Sequence, residues 1–291
     1  MITMFRLPSS NFWYRIFFSS ALILLIGSLI YLVHTPPYEW IFVAGLACIQ
    51  FVALVEYVRL CRLKDTAPAS SLLYWFSFLY LLIYSLATFF PKLALLPMFF
   101  LFLAALVTPL AFLARQQGAI ANLALTFFGF VYIVFPLSWI IDITFVPHLP
   151  SGKPTTFWIT WLIVTSKGSD MVAYFTGKLF GKHPLALSLS PKKTIEGAIG
   201  GLVGAAVLSE AVHHFWIAPS PELSLSTWLI LGTVIGIASM IGDLSESLLK
   251  RDAGVKDSNA IPGLGGILDI IDSLLLSSPF LYVYLRVVGI I

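Results

Sequence analysis

Residues 243–272 read DLSESLLKRDAGVKDSNAIPGLGGILDIID, a charged stretch set in otherwise apolar chain. Charged groups beside a membrane-embedded core are costly to keep there and mark function. The carboxylates of Asp243, Glu246, Asp269 and Asp272 suit a divalent cation, and Lys250, Arg251 and Lys256 suit phosphate. Asp243, Glu246 and Lys250 are spaced by three and then four, which places them on one face of a helix. Asp269 and Asp272 are three apart, just before a final apolar run. Between the two acidic pairs stands a turn, Pro262-Gly263-Leu264-Gly265-Gly266, that can bring them together. Its backbone amides can also face a phosphate, although a tight turn without a ligand has the same sequence. Oxygen donors of this kind suit Mg²⁺, which shares its octahedron between carboxylates, waters and phosphates. The competing reading is an ion-pair network in which the basic residues neutralise the acids internally. Acids gathered without a cation repel one another, and a bound metal resolves that more simply. The combination points to phosphoryl or nucleotidyl transfer on a lipid.

A second polar cluster covers residues 166–196. Asp170 stands in an apolar helix, where it is costly unless paired. Ser190 and Pro191 mark a helix start, at which Lys192, Lys193, Thr194 and Glu196 can meet phosphate. A plain basic loop on the cytoplasmic side is the simpler alternative. Gly197, Gly200, Gly201 and Gly204 have the spacing that lets helices approach closely, so packing is their expected role.

The elements that position these groups are membrane helices. The chain has 291 residues, 59% hydrophobic and 11% charged, with a mean hydropathy of +0.94. Soluble domains carry about 25% charged residues, so a soluble protein is excluded. Its 24 Phe, 11 Tyr and 8 Trp suit a lipid-facing surface with aromatic anchors. Apolar runs long enough to cross about 30 Å of hydrocarbon fall near 14–33, 39–58, 71–90, 93–113, 120–141, 157–176, 195–217, 226–248 and 273–291. The sequence therefore predicts an all-α polytopic membrane protein of about nine spans. The run 14–33 reads as a retained first helix, because no small-x-small cleavage site follows it.

With nine spans, Arg6, Arg15, Arg59, Arg62, Lys64, Arg115, Lys178, Lys182, Lys192, Lys193, Lys250, Arg251 and Lys256 share one side. Only Lys92 and Lys153 lie in connections on the other. The positive-inside rule then places the N-terminus and the charged loops in the cytoplasm and the C-terminus outside. The net charge of +3 collects where anionic headgroups and nucleotides are met and gives no reason to infer nucleic-acid binding. Cys48 and Cys61 have the spacing of neither a zinc site nor a redox pair and read as free thiols. His213 and His214 end a span on the outer side, away from the acids. Residues 1–150 form a transmembrane scaffold of about five spans that supplies a lipid-facing surface and room for homodimer contacts. There Glu56 reads as a helical-face partner of Arg59, and Asp142 as a solvated helix end. Residues 151–291 form the catalytic transmembrane region with its cytoplasmic polar site.

Three stretches, SDMVAYFTGKLFGKH, SPKKTIEGAIGG and GDLSESLLKRDAGVKDSNAIPGLGGILDIIDS, resemble the motifs of the phosphatidate cytidylyltransferases, or CDP-diglyceride synthetases. They cover about a third of the chain. The resemblance implies transfer of the cytidylyl group of CTP to phosphatidic acid, giving CDP-diacylglycerol and pyrophosphate in a bacterial-type inner membrane. It implies Mg²⁺ on Asp243 and Asp269, with Asp272 assisting, and an optional second, monovalent cation such as K⁺. Ser247, Lys250, Arg251, Lys256 and Asp257 match signature positions around the polar site. Ser190, Lys193, Thr194 and Glu196 match the preceding motif, and Asp170 an intramembrane acid; Glu246 joins the same polar face. Leu264 and Ile270 stand where the family has histidine and arginine. The attacking phosphate is already anionic near neutrality, since a monoester has its second pKa near 6, so a divergent but active member is expected. Two other classes remain open: a secondary transporter of an anionic solute, and a weakened relative that only binds lipid or CTP.

Overall fold

The structure, a computed structural model, describes residues 27, 30, 33, 38–113, 117–145, 156–215, 223–258 and 266–291. Most of the expected span 14–33, with Arg6, Arg15, Arg115, Lys153 and the turn residues Pro262 to Gly265, lies outside the described residues. Helix α1 is Tyr38–Arg62 and α2 is Ser70–Phe89. Helix α3, Leu96–Val107, is flanked by 3₁₀ turns at Pro91–Leu93 and Thr108–Phe112. Helices α4 (Ala119–Gly129) and α5 (Phe135–Thr144) join through a π-helical turn, Phe130–Val134, to make one span. Then come α6 (Phe157–Phe180), strands β1 (Pro184–Ala186) and β2 (Ser190–Thr194), α7 (Ile195–Phe215), α8 (Leu225–Asp252) and α9 (Ile267–Val287).

Among the described residues, 7 helical segments are long and apolar enough to cross a membrane. Helix α6 has the length but is not among them; Lys167, Asp170 and Lys178 interrupt its apolar run. The chain is a mostly helical, multi-pass membrane protein. Among the described residues, the one departure from an all-helical pattern is the antiparallel hairpin β1–β2, with Pro184 opposite Thr194 and Ala186 opposite Ser190. The expected helix start at Ser190-Pro191 is therefore corrected. Proline lacks an amide proton and is tolerated at a two-stranded edge, so Ser190–Thr194 runs extended and the helix begins at Ile195. The Thr194 side chain then accepts from the Gly197 amide at 3.1 Å, capping the new helix.

The final helix also begins earlier than the expected 273. Asp269 and Asp272 lie within the first two turns of α9, not ahead of it. An apolar-run criterion stops at acids, whereas a helix keeps them when their charges are paired, as both are here. Two other acids are better anchored than expected. Asp142 accepts from the Tyr84 and Thr88 hydroxyls at 2.8 and 2.7 Å and pairs with Arg286 at 3.5 Å, which ties α2, α5 and α9 together at one end of the bundle. Glu56 is buried and bonds α9, as described below. Cys48 and Cys61 are free, and His213 stacks on Trp228 with ring centroids 4.6 Å apart.

The N-terminal helices pack around Leu54, Tyr57, Leu73, Tyr80, Ile133, Leu137 and Ile141. Helices α6, α7 and α8 pack along one another, and α9 lies against both α8 and α5, joining the two halves. Phe99, Phe102 and Leu106 of α3 and Ile199, Val203 and Val207 of α7 point outward, apolar rows that suit acyl chains. The α8–α9 contact is closest where α8 has no side chain. A Cβ at Gly242 would stand 2.5 Å from the Asp272 carbonyl oxygen. Overpacking of this kind costs about 1–3 kcal/mol. Gly242→Ala is therefore expected to lower the melting temperature of the detergent-solubilised protein and to reduce its activity. An unchanged melting temperature would show that α9 yields freely at this point.

Candidate active site

Lysine–carboxylate pairs dominate one end of the bundle. Lys250, on the last turns of α8, holds Asp269 Oδ1 at 2.5 Å and also pairs with Glu246 one turn before it. Glu246 is fully buried, and the Lys250 side chain is 12% exposed. The other oxygen of Asp269, Oδ2, accepts from the Gly266 amide at 2.7 Å and the Ser258 amide at 3.2 Å. Asp269 thus sits at the third residue of α9 and satisfies amides that a helix start leaves open. The two acidic pairs of the sequence do meet, and Lys250 is the group that joins them.

One turn along α9, Asp272 Oδ1 lies 3.3 Å from Lys167 Nζ of α6 and accepts from the Ser273 amide at 2.6 Å. Asp243 Oδ2 lies 2.5 Å from Lys193 Nζ of β2. Asp170 Oδ1 accepts from the Ser239 hydroxyl at 3.1 Å, so the intramembrane acid has a partner across α6 and α8. Asp272 interacts electrostatically with Lys167, Asp243 and Asp170. Three helices and one strand therefore contribute to a single charged region.

Beside it lies a cavity of ≈ 590 Å³ between α6, α7, α8 and the hairpin. Asp170, Asp243, Lys192, Lys193 and Lys178 give it a charged part; Tyr174, Leu202 and Met240 make the rest apolar. Gly197 and Gly201 line it because α7 runs so close to α6. Their added Cβ atoms would stand 2.8 Å from Ala173 O and 2.9 Å from Ala173 Cβ. The expected packing role of these glycines holds.

Other expected residues stand apart from the pairs. Arg251 donates to the carbonyls of Leu189 and Val255, both at 3.0 Å, and so ties the hairpin to the end of α8. Glu196 accepts from the amides of Lys182 and His183 at 3.1 and 3.2 Å and lies 2.6 Å from His183 Nδ1, holding the turn that leads into β1. Lys256 and Asp257 are exposed, Ser190 is half-buried on β2, and Ser247 is buried on α8. Ile270, where arginine was expected, is half-buried on α9; Leu264 lies outside the described residues. Sequence reasoning did not single out Lys167, Ser258 or the bonding of Glu56. Lys167 had a legible signal: it is a cation three residues before Asp170 in an apolar helix.

The donor chemistry suits Mg²⁺, since the acids offer hard oxygen ligands. Among the described residues, though, no group of three His, Cys, Asp or Glu side chains stands ready to hold a metal ion. Instead each of the three expected ligands carries a lysine. Mg²⁺ is commonly held by one or two carboxylates together with substrate phosphates, and Asp243 and Asp272, each bound to one lysine, fit that smaller demand. Asp269 fits it less well, because both of its oxygens already serve α9 and Lys250.

The cytidylyltransferase family matches residues 13–288, a range that contains every helix of this site. The chain belongs to that family. A phosphatidate cytidylyltransferase of Chlamydia trachomatis is 37% identical over 198 residues, 66% of this chain and 64% of that protein. One from Synechocystis is 34% identical over 267 residues, 84% of this chain and 88% of the relative. The chloroplastic phosphatidate cytidylyltransferase 4 of Arabidopsis thaliana is 32% identical over 272 residues, 85% of this chain and 68% of the relative. The matches to the chlamydial relatives span 56–64% of those proteins' length.

The pairs of this cytidylyltransferase-family site differ in burial, which sets an order of stability effects. Removing one partner of a buried pair costs about 3–5 kcal/mol, whereas exposed pairs are worth about 0–1 kcal/mol. Lys250→Met leaves Glu246 and Asp269 facing each other and is expected to lower denaturant stability strongly. Lys193→Met removes a part-buried pair whose members are 28% and 30% exposed and is expected to lower stability less. The reverse order in a denaturation series would mean that Lys250 is not the keystone of the pairs.

Proposed function

We propose that this membrane protein transfers the cytidylyl group of CTP to phosphatidic acid, giving CDP-diacylglycerol and pyrophosphate. One observation carries the reading: the family match over residues 13–288 runs through the helices and hairpin that bring lysines and carboxylates together. Relatives named phosphatidate cytidylyltransferase supply the substrates of the proposal. Family membership favours this transferase over a transporter of anions.

In this reading the nine spans are the seven apolar segments, α6 and the stretch 14–33. The N-terminus is cytoplasmic, the C-terminus is outside, and the site opens to the cytoplasm from a bacterial-type inner membrane. Supporting it, Lys64 pairs with Asp252, and Arg251 holds the hairpin, at the same end of the bundle as the acid–lysine pairs. The N-terminal half is the scaffold and carries the contacts of a homodimer.

The phosphate of phosphatidic acid attacks the α-phosphorus of CTP. A bond forms from its oxygen, the bond to the β-phosphate breaks, and pyrophosphate leaves. The attacking oxygen is already anionic near pH 7, so no side chain has to remove a proton, and the leucine at 264 is no obstacle. Lys193 and Lys192 meet phosphate in the cavity, and Lys167 stands across from them at the lipid substrate's charge. Asp243 and Asp272 would hold Mg²⁺, which when bound offsets and orients phosphoryl charge. Asp269 holds the start of α9. Lys193 and Lys167 each exchange a carboxylate for a phosphate as substrate arrives.

Purified protein is expected to release pyrophosphate from CTP only when phosphatidic acid and Mg²⁺ are both present. Folded protein that stays inactive across divalent metals and acyl-chain lengths would sink the proposal. Asp243→Asn is expected to lose most turnover while keeping its melting temperature, whereas Asp269→Asn loses both. Lys193→Ala removes a charge-assisted contact worth about 1.5–3 kcal/mol, roughly one to two decades of kcat/KM. A change within twofold for both substrates would remove Lys193 from phosphate binding.

A further inference from the structure

Glu56 belongs to α1, in the half of the chain that reads as scaffold, yet its carboxylate is bonded to the start of α9. Its Oε1 accepts from the Ile267 amide at 3.0 Å, and its Oε2 from the Leu268 amide at 2.9 Å. The Ser258 hydroxyl donates to Oε2 at 2.8 Å. The residue is 1% exposed. A buried carboxylate is retained where hydrogen bonds replace its water, and the first amides of a helix are the donors that need an acceptor.

Helix α9 cannot meet this need from its own cap residue. Gly266 stands at the N-cap with extended backbone, φ −116° and ψ 164°, and has no side chain to accept with. The missing acceptor comes instead from α1. A Cβ on residue 266 would stand 2.5 Å from Glu56 Oε2. Glycine at 266 is thus what lets the remote carboxylate reach the helix end, and the carboxylate does the work that a serine or aspartate cap would do locally.

The same few ångströms hold the site. Ser258 Oγ, bonded to Glu56, also lies 3.1 Å from Asp269 Oδ2. Asp269 accepts from Gly266 and holds Lys250. Asp272 follows one turn later, with its carbonyl against Gly242 and its carboxylate on Lys167. Each residue turns a helix by about 100°, so a small slip of α9 would swing Asp272 away from the acids of α6 and α8.

We infer that Glu56 is a positioning residue of the polar site. By capping α9 from α1, beside Asp269, it fixes the rotation and depth at which Asp272 faces Asp243. This rests on the proposed transferase reading only in taking Asp243 and Asp272 as the cation site.

The test compares wild-type protein with Glu56→Gln, which keeps the shape and volume but loses one acceptor oxygen. Mn²⁺ binding is followed by electron paramagnetic resonance in detergent without substrate, beside the melting temperature and the Mg²⁺ dependence of turnover. Groups that orient metal ligands typically change affinity or activity by about 10–100-fold when altered. Glu56→Gln is expected to weaken Mn²⁺ binding at least about tenfold and raise the Mg²⁺ needed for half-maximal turnover in parallel. If the melting temperature falls while both cation constants stay at wild-type values, Glu56 is only structural and the inference is overturned. Should Glu56→Gln fail to fold, Ser258→Ala, which removes one of the three bonds, is expected to weaken Mn²⁺ binding severalfold; wild-type binding in that variant overturns the inference. Wild-type protein that binds no Mn²⁺ overturns it as well. A wild-type protein that binds Mn²⁺ but never turns over CTP and phosphatidic acid overturns the proposed function alone.

Discussion

The structure depends on pairing charge inside an apolar bundle. A lone carboxylate or ammonium there would cost several kcal/mol, and this protein keeps Glu56, Asp170, Glu246, Asp269 and Asp272 within its helices. Each is bonded to a group on another element, and Glu246 to Lys250 of its own. The partners come from far along the chain, so the charged residues specify which helices meet and at what height. Lys167 sets α6 against α9, Lys193 sets the hairpin against α8, and Lys250 sets α8 against α9. The close approach at Gly242 becomes possible once those heights agree.

This pairing also bears on how charged ligands could be received. A lysine held by a carboxylate has an anion that a phosphate can replace, and the carboxylate so released is a ligand for a cation. Under the proposed function, binding of phosphate and of cation would therefore favour each other through the pair they share. The Lys193–Asp243 pair, 28% and 30% exposed, is more accessible than the pairs made by Lys250. The Glu246–Lys250–Asp269 group is the more buried and ties α8 to α9.

Much of this was legible in the sequence. The apolar runs gave α1, α2, α7 and α8 to within a few residues, because lipid-spanning length and hydropathy are properties of single segments. The three-and-four spacing of Asp243, Glu246 and Lys250 showed their common face for the same local reason. What was not legible depends on distant partners. The start of α9 was placed too late because acids end an apolar run unless something neutralises them, and Glu56 and Lys250 lie 211 and 19 residues from their α9 partners. The hairpin was read as a helix start because the five residues Ser190–Thr194 pair with only three others, too short a pattern to show an alternation. The role of Glu56 had no local signal at all, since Arg59 offered it a sufficient partner on its own helix.

The capping of α9 from α1 has a consequence for how the chain is made. Glu56 enters the membrane long before Ile267 and Leu268 exist, with 211 residues still to be synthesised. At about 5–20 residues per second, that interval lasts roughly 10–40 s. Throughout it the carboxylate lacks the α9 amides that it bonds in the finished fold. Its place six residues before the end of α1 keeps it near the membrane surface, where water is within reach. Helix α1 is therefore inserted early, but its bonds to α9 form late.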